Sequence, residues 1–527
     1  MRFKIPPLIP SRFRTLAAGL IIGLISLAIP LLRDFHWESA GLASLIITFY
    51  AAVLASGGKE NTLSTWRKCT GLIIGWAIPL ILFALFTNCM SFDGVAFWLA
   101  GPFPSILLGW SIGRLVLHFK VRKRKTVICA VILSIAILPT LYEFLHFPQL
   151  YFFNHVWSYW PGPIYDEIVS FDSRLLLFRG ITLFWVTTLW AIPHMFDQKI
   201  YRWIAILSLL SIIASYLHAT EWGLVAPEER LQAELGALHE TDHFKIFYTA
   251  GTVEPEELEQ WEQKHEQFLK DITETLEIDL SLYHTEKIHS YIYDNQTQKK
   301  WLTGAGQTSY VPVWISQDQM HIARINLNRV LKHELVHIVA KQFGNWFGAS
   351  SSIGMIEGLA VALDPDRYES TLDQLVAAQE PWPDSFEIRR VFTPVGFYTS
   401  AGPISYLLSG SFVQFLLENY PVEKFKEAYR TGNLDIAYSP TTLEEVTAEW
   451  HRHLETVELA KEDRARSAFL FKTPSIFEKP CPRVERVREI RDQLTMGDGF
   501  SQITMINEES YNYNYNYPCV PLRTLRE

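Results

Sequence analysis

Seven stretches of mostly apolar residues, near 15–32, 39–56, 70–88, 95–117, 126–145, 176–193 and 203–220, follow one another through the first 220 residues. Each approaches the ~20 residues an α-helix needs to cross a bilayer core at 1.5 Å per residue. A backbone amide in hydrocarbon finds its partner within its own segment, so helices are the expected form. Buried helices of a soluble protein are the alternative; seven such runs in succession, almost free of Asp and Glu, argue against it. The basic flank Arg2, Lys4, Arg12 and Arg14 would suit a signal peptide, but "LAIPLLRDFHW" offers no small-residue cleavage site. The first stretch is therefore read as a retained anchor.

Lys and Arg in the short connections set the orientation. With a cytoplasmic N-terminus, the inner connections hold Lys59, Arg67 and Lys68, then the "KVRKRK" run at 120–125, then Lys199 and Arg202. The outer ones hold only Arg33 and Arg174. Seven crossings then leave everything after residue 220 outside. The longest outer loop, "FPQLYFFNHVWSYWPGPIYDE", is rich in aromatic rings and suits the membrane–water interface; lining a substrate entrance is the other reading. Arg114 and Arg179 lie near span ends, where their heads can snorkel to the surface. No acid sits mid-span as an ion relay requires, so anchoring is the expected role.

Residues 221–527 hold most of the acidic residues. The whole-chain charge of −9 averages two unlike halves, and with no basic face in this part nothing supports a nucleic-acid role. "HFKIFYTAG" (243–251) and "KIHSYIYD" (287–294) alternate as strands do, and 309–325 suggests a strand or hairpin. The intervening "VEPEELEQWEQKHEQFLKDITETLEI" has helical spacing with acids in its first turn. Helical patterns return in 404–420 and 442–455. The expected architecture is a multi-pass α-helical membrane region (1–220), a mixed α+β domain (221–456) and a C-terminal helical, low-complexity tail (457–527).

The chemistry is concentrated in "VLKHELVHIVAKQF", 330–343. On a helix, positions i and i+4 share a face, so His333 and His337 can offer two imidazoles to one ion, with Glu334 beside a bound water. This is the H-E-x-x-H pattern of zinc hydrolases. The alternative is a half-buried helix whose histidines make ordinary hydrogen bonds. Three ionisable groups among Leu331, Leu335, Ile338 and Val339 weaken it, because a buried charge needs a partner and a divalent cation is the simplest one. Catalytic zinc takes three protein ligands. Glu357 in "GMIEGLAVALD" is the candidate for the third. Alone, a glutamate opening a helix is more often a surface residue complementing the helix dipole. After H-E-x-x-H, with Gly344, Gly348 and Gly354 letting the chain turn so that the two helices face each other, a ligand is the expected role.

On "HELVH", "EGLAVAL", "SYLLSGSFVQFLLENY" and "EEVTAEWHRHL", residues 243–456 resemble the gluzincin zinc metallopeptidases, in particular the membrane-anchored peptidase MA-like group. The resemblance implies a zincin-like domain with its active-site helix against a small sheet, a Zn2+ ion, and hydrolysis of a peptide or protein substrate. His333, His337 and Glu357 match the metal ligands, and Glu334 matches the general base and acid. Asp364 is placed to hold a ligand histidine. Related enzymes draw a transition-state donor from a Tyr or His after the third ligand; Tyr406 matches best and Tyr398 second, with core packing as the alternative for both. No "GxMEN" stretch occurs, so N-terminal trimming is not implied.

Cys69, Cys89 and Cys129 are expected to pack as small apolar residues, and Cys481 and Cys519 to tie the tail into a loop. The segment 459–496 reads as helical. Two other functions compete with a membrane-anchored peptidase. An intramembrane protease needs its metal helix to be a span, and 326–346 is too short and too polar at its flanks. A non-catalytic membrane sensor or transporter-linked binding domain would have no use for Glu334.

Overall fold

The structure is a computed structural model; it describes residues 11–58, 61–163, 169–364, 370–400, 402–471 and 481. The N-terminal part is built from α1 (Ser11–Leu27), α2 (Trp37–Ser56), α3 (Thr62–Phe86), α4 (Phe92–Ala100), α5 (Pro102–His118), α6 (Arg124–His146), α7 (Arg174–Ala191) and α8 (Lys199–Leu217). A hairpin, β1 (Phe152–Asn154) and β2 (Ser158–Trp160), joins α6 to α7. Among the described residues, six helices are long and apolar enough to cross a membrane, with α4 and α5 counting as one. The stretch expected at 15–32 falls short of that length. α1 has 17 residues and stops ahead of Pro30, which disfavours helix in the residue before it.

The pentapeptide "GLIIG" stands at 19–23 in α1 and again at 71–75 in α3. The two helices meet there so closely that a Cβ on Gly19 or Gly75 would overlap the facing backbone. Elsewhere proline removes helix donors and other elements replace them. Pro139 in α6 leaves Ile135 O without its i+4 amide. Asn154 Nδ2 donates to Ile135 O and Ala136 O, both at 3.2 Å, and Trp157 Nε1 to Ala136 O at 3.0 Å. Pro104 does the same to Ala100 O at the α4–α5 break, where Arg179 Nε donates at 2.8 Å. Arg179 also reaches Gly101 O at 3.1 Å and His155 O at 2.9 Å.

Two expectations change here. Arg179 is 4% exposed and does not snorkel; it staples the broken helix to the hairpin. The aromatic loop is not an interface belt. Its hairpin is buried among α2, α6 and α7, as irregular backbone at membrane depth requires, with Tyr151, Phe153 and Tyr159 in the core.

The distal part runs α9 (Glu228–Leu235), β3 (Gly236–Glu240), β4 (Phe244–Thr249), α10 (Pro255–Thr275), α11 (Leu282–Thr285), β5 (Ile288–Tyr293), α12 (Gln296–Thr303), β6 (Gln319–Ala323), α13 (Leu327–Ala340) and α14 (Ile353–Leu363). Then come α15 (Leu372–Ala377), α16 (Ser385–Val391), α17 (Pro394–Thr399), α18 (Gly402–Asn419), α19 (Val422–Thr431), α20 (Leu434–Tyr438), α21 (Leu443–Glu455) and α22 (Lys461–Leu470). The sheet has the order β3-β4-β5-β6, with β3 antiparallel to β4 and the remaining pairs parallel.

The period of two along the strands gives the sheet two apolar faces. Phe244, Ile246, Ile288, Ile292, Met320 and Ile322 pack on α10 and α13 in one core. Phe247, Tyr291 and Tyr293 belong to a second core that continues into the membrane helices. Across this junction Leu150 N donates to Thr303 O at 2.7 Å, Tyr310 OH to Pro148 O at 2.8 Å, and Phe144 stacks on Trp314 at 4.1 Å. The Arg174 guanidinium lies between the Tyr151 and Trp301 rings, 4.6 and 4.2 Å from their centroids.

The cysteines also differ from expectation. Cys481 is bonded to Cys89, just beyond α3, with Cα atoms 5.8 Å apart. Cys481 thus sits at the end of the helix bundle, and Cys519 lies outside the described residues. Cys69 is buried in α3 as anticipated, whereas Cys129 is exposed on α6. Of the helical tail expected over 459–496, α22 covers Lys461–Leu470; positions beyond 471, apart from 481, lie outside the described residues.

Candidate metal centre

β6 leads into α13 through one 3-10 turn, Arg324–Asn326, so the sheet sets the direction of this helix. Leu327, Leu331, Leu335, Ile338 and Val339 anchor it in the core. The same helix turns His333 and His337 to one side, with ring centroids 4.9 Å apart and planes at 88°. Glu334 is buried beside them at 5% exposure.

The chain then makes a tight turn. Asn345 N donates to Ala349 O and Gly348 N to Asn345 O, both at 2.8 Å, and Gly348 takes φ +68°, which a side chain would strain. Ser352 caps α14, its Oγ accepting from Met355 N at 3.2 Å. Gly358 lets α14 touch α18: a Cβ there would stand 2.8 Å from Ser409 O. These contacts present Glu357 to the two histidines.

Three donor atoms converge as a result. One ligand atom each from His333, His337 and Glu357 lies within 4.8 Å of the other two, and this is the only such group among the described residues. Glu357 Oε2 is 3.3 Å from His333 Nε2 and 3.7 Å from His337 Nε2. Both separations exceed the usual N–H···O distance of about 2.9–3.0 Å. They fall near the edge of a coordination tetrahedron, about 3.3 Å for ligand atoms ~2.05 Å from the ion. Burial pushes the His337 imidazole down to about 4, leaving it neutral with a free lone pair at neutral pH. Its Nδ1 is buried without a hydrogen-bond partner among the described residues, so Asp364, which caps α14, does not hold this ring. The side chains are 7%, 10% and 21% exposed for His333, His337 and Glu357, so solvent reaches the group from the glutamate side.

Of the two tyrosines, Tyr398 interacts with the Glu357 charge. Tyr406 is one turn before Ser409, on the face of α18 that meets Gly358, and its ring packs on Phe397 at 5.1 Å. Tyr398 is half-buried on α17; burial and then the Glu357 charge raise its phenol pKa. Sequence reasoning missed Tyr429. This buried residue of α19 packs on Phe343 at 5.1 Å, and the Glu357 charge adds to burial in raising its pKa. It stands 72 positions from Glu357, with no motif to draw attention to it.

No protein-family model matches the chain, and no curated protein is similar to it.

Proposed function

We propose that this protein is a membrane-anchored zinc metallopeptidase that hydrolyses peptide bonds outside the membrane, in the exterior or periplasmic space. The convergence of His333, His337 and Glu357 carries the reading. These residues would hold the ion, which when bound supplies Lewis acidity to a water and to the peptide carbonyl. Glu334 takes the proton of the attacking water and later passes it to the leaving amine. Tyr406 donates a hydrogen bond to the carbonyl oxygen as it gains negative charge, with Tyr398 second in line.

The sidedness rests on counting. From α2 to α8 the six long helices alternate, so the distal part lies on the side opposite the "KVRKRK" run whether or not α1 crosses. Cys89, between α3 and α4, falls on that same side, where an oxidising compartment permits the bond to Cys481. The test is casein cleavage by the purified full chain and by Glu334→Gln. Cleavage that survives in the variant would exclude Glu334 as the base.

A further inference from the structure

We propose that the metal site is held at a fixed height above the bilayer, and that its substrates are polypeptides anchored in the same membrane and cut a short, defined distance from its surface. This rests on the metallopeptidase reading and the sidedness given above.

The path from membrane to metal site contains no loose joint. Pro148, at the outer end of the bundle, is held by Tyr310 OH. The Tyr310 ring stacks on His321 of β6 at 4.7 Å, and His321 Nδ1 is bonded to Tyr293 OH at 2.9 Å on the neighbouring strand. β6 then enters α13 after a single turn, and His333 follows within two turns of helix. The covalent link is equally restrained. In the ten residues from His218 to Pro227 between α8 and α9, Leu224 N bonds Ala219 O at 2.8 Å and Ala226 N bonds the buried Gln149 side chain. A flexible tether would show none of this.

A sheet–helix spacing of about 10 Å and a rise of about 9 Å over six helical residues put the metal site at most on the order of 20 Å from Pro148. An extended chain covers that distance in about six residues. A substrate anchored in the same membrane meets the site at an effective concentration set by its stalk. That concentration is near zero when the stalk is too short, greatest when it matches the height, and falls as the stalk lengthens. A dissolved substrate gains nothing from the arrangement.

The experiment uses the full chain, zinc-loaded, in proteoliposomes. The probes are single-span proteins carrying one casein segment on Gly/Ser stalks of graded length, and the same segment free in solution. Stalks of two or three residues should leave it uncut, and stalks of roughly ten to twenty should cut fastest. Eighty-residue stalks should be several-fold slower, and the free segment at least about tenfold slower at equal bulk concentration. Equal rates across stalk lengths, free casein cut as fast as the best anchored form, or no cleavage of any form would overturn the proposal. A second measurement needs no activity. Trp346, in the α13–α14 turn, is replaced by a labelled cysteine (Trp346→Cys with Cys69→Ser, Cys129→Ser and Cys519→Ser, leaving the Cys89–Cys481 bond), and energy transfer to acceptor lipids is recorded. One narrow distance is expected; a spread wider than about 20 Å would overturn the fixed height. A chain that holds no zinc sinks the metallopeptidase reading and this inference with it. A zinc-holding chain that cuts free and anchored casein alike sinks this inference alone.

Discussion

His265 and two tyrosines near the candidate site's helices, Tyr398 and Tyr406, show how single side chains can be tested. His265 is wholly buried, its ring nitrogens bonded to Trp261 O at 2.6 Å and Ser290 Oγ at 2.9 Å, and burial pushes its pKa down to about 4. A base with a lowered folded-state pKa is neutral in the fold while the unfolded chain takes up a proton. Stability is therefore intact above the ordinary value of 6.5 and is lost as pH falls from 6.5 toward 4. Melting temperatures of the full chain in detergent should fall through that window, and His265→Gln should flatten the slope there; an unchanged slope would contradict the assignment. At the metal centre, Tyr406→Phe should keep fold and metal and lower kcat about 10²-fold with KM little changed, because the donor acts only on developing charge. Tyr398→Phe should be mild. The reverse pattern in steady-state kinetics would transfer the role to Tyr398.

At the scale of elements, Arg179 is the side chain most worth removing. It donates to three carbonyl oxygens, Ala100 O and Gly101 O at the α4–α5 break and His155 O in the hairpin. Arg179→Leu should lower stability by on the order of 3 kcal/mol, read by chemical denaturation in detergent, while Arg114→Leu, exposed on α5, should change little. Arg179 also shows where sequence reading stops. Its charge in an apolar run was plain, but the carbonyls it meets lie 24 or more positions away. The strands over 243–251 and 287–294 and helix α13 were legible because their apolar residues keep one period. β3 was not: "GALHE" carries no β-branched residue and becomes a strand only by pairing with β4. The two imidazoles follow from helical spacing alone. That Glu357 faces them, and Tyr429 with it, depends on how α14, α18 and α19 pack.

For the molecule as a whole, the division into an apolar half and an acidic half was visible in composition, but not that the two share a core through Tyr291 and Tyr293. The membrane region is thus part of the distal fold as well as its anchor. The disulfide between Cys89 and Cys481 gives a direct check on sidedness. In intact cells, a membrane-impermeant maleimide should label Cys481 in Cys89→Ser and should not label the wild type at either position. Labelling of both cysteines in the wild type, or protection of Cys481 in the variant until the cells are broken open, would place the distal part on the reducing side.

The central claim is that His333, His337 and Glu357 hold a catalytic ion, and metal content of the purified full chain tests it most directly. About one zinc per chain is expected in the wild type and in Glu334→Gln, as a three-ligand site requires. His333→Ala, His337→Ala and Glu357→Ala should each lose it. Equal zinc in the wild type and in the double histidine variant would contradict the account.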